Sequence, residues 1–374
     1  MVISSETSTM FFYRKDMMLE FLRQGNQVVA AGDAPEDKWG KAYEEIGVRY
    51  RQFYVKRNGL NPADDIKTLA SLKKLIAEEK PDKIFAYHSK SVVYGSIAAK
   101  MNDIDEMYAL IAGLGSIIRG SGFKNSIIRT VLKSEYKYAF KLCKAVITHN
   151  SEDRQLLLDE KFTKDAAKVK TVNGSGVNLE KFMYSETEKT NIFLFIARLI
   201  GDKGIREYMR AAEIVKGSHP EAVFRIVGPY DTNPSAIKPE DVEKYVSAGT
   251  IEYVGELSDV TPQLNECMVF VLPSYHEGTP KTVLEAMATG RPVITTDVPG
   301  CRAAVKDGVN GYLVPAKNAE ALAEKMIYML EHFDEAVELG NTGRKIAEDK
   351  YDAVKVNRSI LKIMNIPYKE EVTV

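Results

Sequence analysis

Two carboxylates eight positions apart, Glu277 and Glu285, lie in the stretch Leu272-Pro-Ser-Tyr-His-Glu-Gly-Thr-Pro-Lys-Thr-Val-Leu-Glu-Ala-Met-Ala-Thr-Gly290. The stretch opens at the end of an apolar run that reads as a buried strand. Thr279 suits the N-cap of the helix that follows, Pro280 its first position, and Gly290 the residue just past its end. On that reading the backbone N–H groups of Lys281 and Thr282, beside Gly278, have no partner inside the helix, and such a terminus attracts an anion. Ribose and sugar hydroxyls donate hydrogen bonds, so Glu277 and Glu285 suit those groups and leave a phosphate to the helix terminus. Taken singly, Glu285 reads as a surface helix residue and Gly278-Thr-Pro as a plain cap. Strand, Glu-Gly loop, capped helix and second Glu together read as a site for a phosphorylated sugar.

A second constellation is Phe195-Ile-Ala-Arg-Leu-Ile-Gly-Asp-Lys-Gly204. A buried strand ends at Ala197, and Arg198 and Lys203 flank the turn into the next helix. Arg offers a two-pronged fork and Lys a compact point charge, so the two can converge on a diphosphate. Gly201 and Gly204 let the backbone turn tightly there. Alone, these would be two solvated charges in a loop.

The first half of the chain carries weaker signals. In Ile111-Ala-Gly-Leu-Gly-Ser116, after a strand, Gly113 and Gly115 allow close backbone approach to a sugar or phosphate, with Ser116 beside them. His88-Ser-Lys-Ser-Val-Val-Tyr-Gly95 stands at another strand end, where Lys90 is placed either to meet a phosphate or to sit solvated at a helix cap. Gly174-Ser-Gly176 either admits a diphosphate or makes a tight turn. Residues 124–142 interleave Lys124, Arg129, Lys133, Lys137 and Lys141 with apolar residues. That is a helix lying on an anionic membrane, or a domain helix with its apolar face in the core. The histidines, His276 included, have no metal-ligand spacing.

To position these groups, the chain alternates short apolar runs with longer amphipathic stretches, the pattern of βαβ units around parallel sheets. Strands are predicted at 28–31, 49–54, 83–87, 107–111, 145–148 and 168–172, and again at 192–197, 224–227, 251–254, 268–272 and 292–295. Helical periodicity fills the gaps, as at 64–79 and 124–142. Residues 184–189 are polar and aperiodic, which suits a hinge. The fold expected is α/β, two Rossmann-like domains with a cleft between them. The boundaries are 1–183 and 184–350, with a C-terminal helix and tail, 351–374, packing back toward the first domain.

A chain of 374 residues is long for one core and right for two. Its 45% hydrophobic and 28% charged residues are those of a soluble globular protein, and a net charge of −1 argues against binding nucleic acid through bulk electrostatics. Cys143, Cys267 and Cys301 are scattered and suggest neither disulfides nor zinc, which fits a reducing cytoplasm. No apolar run reaches the roughly eighteen residues that span a bilayer, and Ser4, Ser5, Glu6 and Thr7 interrupt any signal peptide. Residues 1–3 leave an opening strand little to pair with.

Arg198, Lys203 and the Glu277–Glu285 pair resemble the donor-site motif of the retaining glycosyltransferases of family 4, which have the two-domain glycosyltransferase-B architecture. The likeness runs through the second half, including Gly228-Pro-Tyr and Val254-Gly-Glu as turns after its second and third strands. It implies that Arg198 and Lys203 bind the donor diphosphate, that Glu285 holds the ribose, and that Glu277 contacts the transferred sugar. Asp297 and Pro299-Gly-Cys-Arg302 resemble a family loop in which Glu often follows the Arg; Ala303 stands there, so the loop is assigned no catalytic role. The Gly-Leu-Gly loop resembles that of members acting on undecaprenyl-diphosphate carriers, N-acetylgalactosaminyltransferases among them. Many relatives carry His where this chain has Ala112. The segment with His88 and Lys90 resembles one near the acceptor. Asp103-Ile-Asp105 matches the metal motif of the other main glycosyltransferase fold but precedes a strand, and reads as a solvated loop.

The resemblance implies transfer of an N-acetylhexosamine or hexose from a nucleotide-sugar, UDP-linked before GDP-linked, with no metal or other cofactor required. The acceptor would be lipid-linked or an oligosaccharide, in polysaccharide or glycan biosynthesis. The protein would then be cytoplasmic or peripheral on the cytoplasmic face of the inner membrane. A nucleotide-sugar epimerase of the same architecture, or a non-catalytic sugar-nucleotide-binding protein, are the rival readings.

Overall fold

The computed structural model describes residues 1–57, 61–113, 123–232 and 235–369, and of residues 123–128 the backbone alone. These residues form two compact units, Met1–Ser175 with Ala353–Val374, and Gly176–Asp352.

In the first unit the strands are β1 (Val2–Ser4), β2 (Val29–Gly32), β3 (Arg49–Gln52), β4 (Ile84–Tyr87), β5 (Met107–Ile111), β6 (Ala145–Thr148) and β7 (Val169–Thr171). They form one sheet in the order β3-β2-β1-β4-β5-β6-β7, every neighbouring pair parallel. Successive side chains alternate between its faces. Ile84 and Ala86 join a core with Leu72, Ile76, Val92 and Phe140. Phe85 and Tyr87 face the opposite core, with Met10, Met17 and Ile360. Helices therefore cover both faces, as a buried parallel sheet requires.

The expectation about residues 1–3 is corrected. Val2 pairs with both Ala30 and Phe85, which puts β1 in the middle of the sheet. Three residues suffice there because both neighbours satisfy the strand, and the terminal ammonium donates to the Lys83 carbonyl at 2.7 Å.

The second unit holds β8 (Ile192–Ile196), β9 (Val223–Val227), β10 (Glu252–Gly255), β11 (Val269–Leu272), β12 (Val293–Thr296) and β13 (Gly311–Val314). Their order is β10-β9-β8-β11-β12-β13, again parallel. β13 is missing from the sequence reading. It has four residues, opens on a glycine and sits at the edge. A Cβ at Gly311 would lie 2.1 Å from the Val293 carbonyl oxygen, so close strand approach dictates that glycine.

The unit boundary falls at 175/176, not 183/184, and residues 184–189 are fastened to the second unit. Val177 N–H donates to the Tyr351 carbonyl at 2.7 Å, and Phe182 is buried in the second core. The Thr187 hydroxyl donates to the Gly290 carbonyl at 3.1 Å. Arg291, fully buried, donates to the carbonyls of Ser185 at 3.0 Å and Glu186 at 3.2 Å. A polar, aperiodic segment reads as a linker because the group that holds it lies a hundred residues away. Ala353–Ile363 is helical and belongs to the first unit.

Within the helix Phe123–Leu142, Tyr136, Ala139 and Phe140 enter the first unit's core, while Val131 and Tyr138 stay exposed. Lys133 pairs with Glu160 at 2.5 Å. Among the described residues no helix is long and apolar enough to cross a membrane.

Candidate donor site

Open parallel sheets bind ligands where the strand order reverses. In the second unit that point lies between β8 and β11. Arg198 and Lys203 follow β8, and Glu277 follows β11, so the fold brings these distant segments to one place. Lys203 Nζ lies 2.5 Å from Glu277 Oε1, their side chains 23% and 10% exposed. Arg198 reaches Asp231 at 2.7 Å from a more open position.

Backbone contacts fix this arrangement. Gly204 has φ +74, and a Cβ there would fall 2.0 Å from the Pro273 carbonyl oxygen. Tyr275 N–H donates to the Asp202 carbonyl at 2.8 Å, and the Ser274 hydroxyl to the same oxygen at 3.1 Å. The Tyr275 phenol donates to Glu207 Oε1 at 2.6 Å, and the Thr296 hydroxyl donates to the Ser274 carbonyl. The loop carrying Glu277 is thereby tied to the turn carrying Lys203. From the other side, a Cβ at Gly300 would lie 2.2 Å from the Glu277 carbonyl oxygen, so Pro299–Ala304 presses directly on that loop. Gly228 packs equally closely, with φ +145 and a would-be Cβ 1.9 Å from the Ala197 carbonyl oxygen.

The helix runs Lys281–Ala288, and its N-cap is Pro280 in extended conformation, not Thr279. The Thr279 hydroxyl donates to the Gly278 carbonyl at 2.8 Å. The first amides are then those of Lys281, Thr282 and Val283, which have no acceptor within the helix. Gly290 follows the Thr289 cap with φ +85.

Glu285 sits inside this helix and is only 7% exposed. Burial pushes its carboxyl up to about 7, with Lys281 and Lys181 pulling it down and Asp259 adding to the rise. A carboxyl desolvated to that degree favours a partner that donates hydrogen bonds.

In the first unit, Gly113 has φ +131 just past β5; Gly115 and Ser116 lie outside the described residues. His88 is the N-cap of the helix Ser89–Met101, with φ +68, and its Nδ1 is 3.1 Å from Ser4 Oγ. Lys90 is largely buried and pairs with Asp65 at 2.8 Å. Asp103 and Asp105 are exposed and precede β5, with Asp105 paired to Lys100 at 3.1 Å.

Sequence reasoning passed over Asp231, Tyr275, Glu207 and Gly300. Asp231 directly follows the Gly228-Pro-Tyr turn, so proximity to that turn was its only signal. Nothing in the sequence links Glu207 to Tyr275, because their contact exists only once β8 and β11 are neighbours.

A family model described as Glycosyl transferases group 1 matches residues 190–332, and one described as Glycosyl transferase 4-like matches residues 7–150. Over 345 residues the chain is 32% identical to the N,N'-diacetylbacillosaminyl-diphospho-undecaprenol alpha-1,3-N-acetylgalactosaminyltransferase of Campylobacter jejuni, covering 88% of this chain and 89% of that protein. It is 26% identical to the UDP-Gal:alpha-D-GlcNAc-diphosphoundecaprenol alpha-1,3-galactosyltransferase of Escherichia coli, over 70% of each. Among solved structures, Anabaena HepE in complex with UDP-glucose matches with a TM-score of 0.76 at 16% identity, covering 97% of this chain and 99% of that one. At that identity the likeness establishes a common fold.

Proposed function

This chain belongs to the retaining glycosyltransferases of family 4, and from that premise we propose that it moves an N-acetylhexosamine or hexose from a UDP-sugar to a diphospho-polyprenol-linked acceptor. Its models and relatives are glycosyltransferases, so the epimerase and non-catalytic readings are not favoured. The donor reading is carried by the ion pair between Lys203 and Glu277 at the β8/β11 reversal, beside the N-terminus of Lys281–Ala288. The acceptor class is suggested by the two relatives whose names specify diphospho-undecaprenol substrates. Such an acceptor brings the protein to the cytoplasmic face of a membrane as a peripheral enzyme.

In the reaction, the bond between the anomeric carbon and the donor diphosphate breaks as an acceptor hydroxyl attacks from the same face. The hydroxyl proton passes to the departing phosphate oxygen, and the configuration is retained. Charge grows on the diphosphate, where Arg198, Lys203 and the amides of Lys281 and Thr282 stabilise it without a metal ion. Gly278, Thr279 and Pro280 shape the turn that aims those amides, and Gly228 keeps the neighbouring turn close. Glu285 accepts from the ribose hydroxyls, and Glu277 orients the sugar and exchanges Lys203 for contacts with it.

Thermal unfolding against UDP- and GDP-sugars, in EDTA, tests the donor site. A ligand at a hundred times its Kd stabilises the folded state by about 2.7 kcal/mol. We expect UDP-sugars to raise the midpoint and Lys203→Ala to abolish the shift. Losing one such contact costs on the order of 3 kcal/mol in the transition state, so turnover should fall about a hundredfold. Unchanged turnover in Lys203→Ala would sink the assignment.

A further inference from the structure

Among the described residues, no carboxylate neutralises one buried arginine of the first unit. Arg14, in the helix Thr7–Arg23, is 4% exposed. Its Nη2 donates to His149 Nε2 at 3.4 Å, its guanidinium lies 5.1 Å from the centre of the Tyr87 ring, and its Nε has no hydrogen-bond partner. His149 brings no negative charge, because burial and Arg14 itself hold its imidazole down to about 3 and so neutral. Other arginines of this protein are treated differently. Arg225 is paired with Glu252 and Glu266, and Arg291 is met by two main-chain carbonyls and a hydroxyl. A buried guanidinium with five donors and one long hydrogen bond is costly unless an anion completes it.

Its place in the fold indicates which anion. Tyr87 ends β4 and His149 directly follows β6, and β5 lies between those strands. Arg14 therefore bridges the carboxyl edge of the sheet above the end of β5, one strand from the β1/β4 reversal where such sheets take ligands. His88 and Ser4, 3.1 Å apart, stand beside it, the His88 ring 4.5 Å from that of Tyr87. The proposed donor diphosphate already has Arg198 and Lys203 in the second unit. On this side Lys90 is paired with Asp65, whereas Arg14 has no carboxylate partner among the described residues.

We propose that Arg14, oriented by His149 and Tyr87, is the anchor for the diphosphate of the polyprenol-linked acceptor. This rests on the acceptor class proposed above. Arg suits a diphosphate better than Lys because its planar fork engages two oxygens at once.

The test uses the full chain saturated with UDP, so that the donor site is occupied, and measures binding of farnesyl diphosphate, with farnesol and inorganic pyrophosphate as controls. Farnesyl diphosphate should add to the UDP-stabilised midpoint, pyrophosphate should compete with it, and farnesol should not bind. Arg14→Met should weaken farnesyl diphosphate about tenfold to a hundredfold, the range for losing a charged hydrogen bond. Arg14→Lys should recover part of that loss and, if the Met variant does not fold, decides the matter alone. UDP affinity should stay within about twofold in both, which separates failure here from failure of the donor reading. Unchanged farnesyl diphosphate affinity in the folded variants overturns the proposal. So does equal binding of farnesol, or farnesyl diphosphate displacing UDP.

Discussion

Glu285→Gln should make the protein more stable in alkaline solution while weakening its hold on nucleotide. The Glu285 carboxyl is 7% exposed, makes no side-chain hydrogen bond among the described residues, and is pushed up to about 7 from 4.5 by burial. Between those two pH values the folded state binds more protons than the unfolded state, so stability falls as pH rises through that window. The contribution is fully present below about pH 4.5 and lost above about pH 7. With about 1.4 kcal/mol per pH unit, the parent should lose roughly 2.5 kcal/mol relative to Glu285→Gln between pH 5 and pH 8. An uncharged Gln fills the same space without that slope. If the ionised carboxylate accepts from the ribose, its loss should also cost about 1.5–3 kcal/mol of binding, a tenfold to hundredfold rise in the UDP Kd. Urea midpoints of both proteins at pH 5 and pH 8, with calorimetric titration of UDP at pH 8, measure the two effects. A variant with the parent's pH dependence refutes the burial argument, and one with the parent's UDP affinity refutes the ribose assignment.

Three further outcomes follow from the same geometry. Gly300→Ala should push the loop carrying Glu277 away through backbone overlap, lowering the thermal midpoint by the equivalent of about 1–3 kcal/mol and raising the donor KM. Tyr275→Phe leaves Glu207 without its phenol partner beside an Oε2 that already has none. About 1–3 kcal/mol of stability should be lost, with UDP affinity falling because the Lys203 turn loosens; an unaltered melting curve contradicts this. Arg291→Met strips the carbonyls of Ser185 and Glu186 of their donor and should cost about 2–4 kcal/mol in urea unfolding, the effect of leaving buried acceptors unpaired.

The periodicity of the chain determined its class. Apolar runs such as those at β5, β6 and β11 are buried on both faces, so four or five mostly apolar residues in a row announce them without reference to neighbours. The donor motif was equally legible, because a Glu-Gly loop opening a helix and an Arg–Lys turn are local patterns. Two short strands, β1 between its neighbours and β13 at the sheet edge, were not, since three or four residues carry no period of their own. Thr279 looked like the N-cap because Thr is a favoured residue type there, but the extended residue that opens the helix is Pro280.

What remained was decided by contacts between segments far apart in sequence. The pairing of Lys203 with Glu277, the burial that shifts Glu285, the tie from Arg291 to residues 185–186 and the stranded charge of Arg14 arise only when strands take their order. A sequence fixes residue types and local spacing. Desolvation and charge pairing depend on which groups the sheet order brings together, and so belong to the tertiary structure.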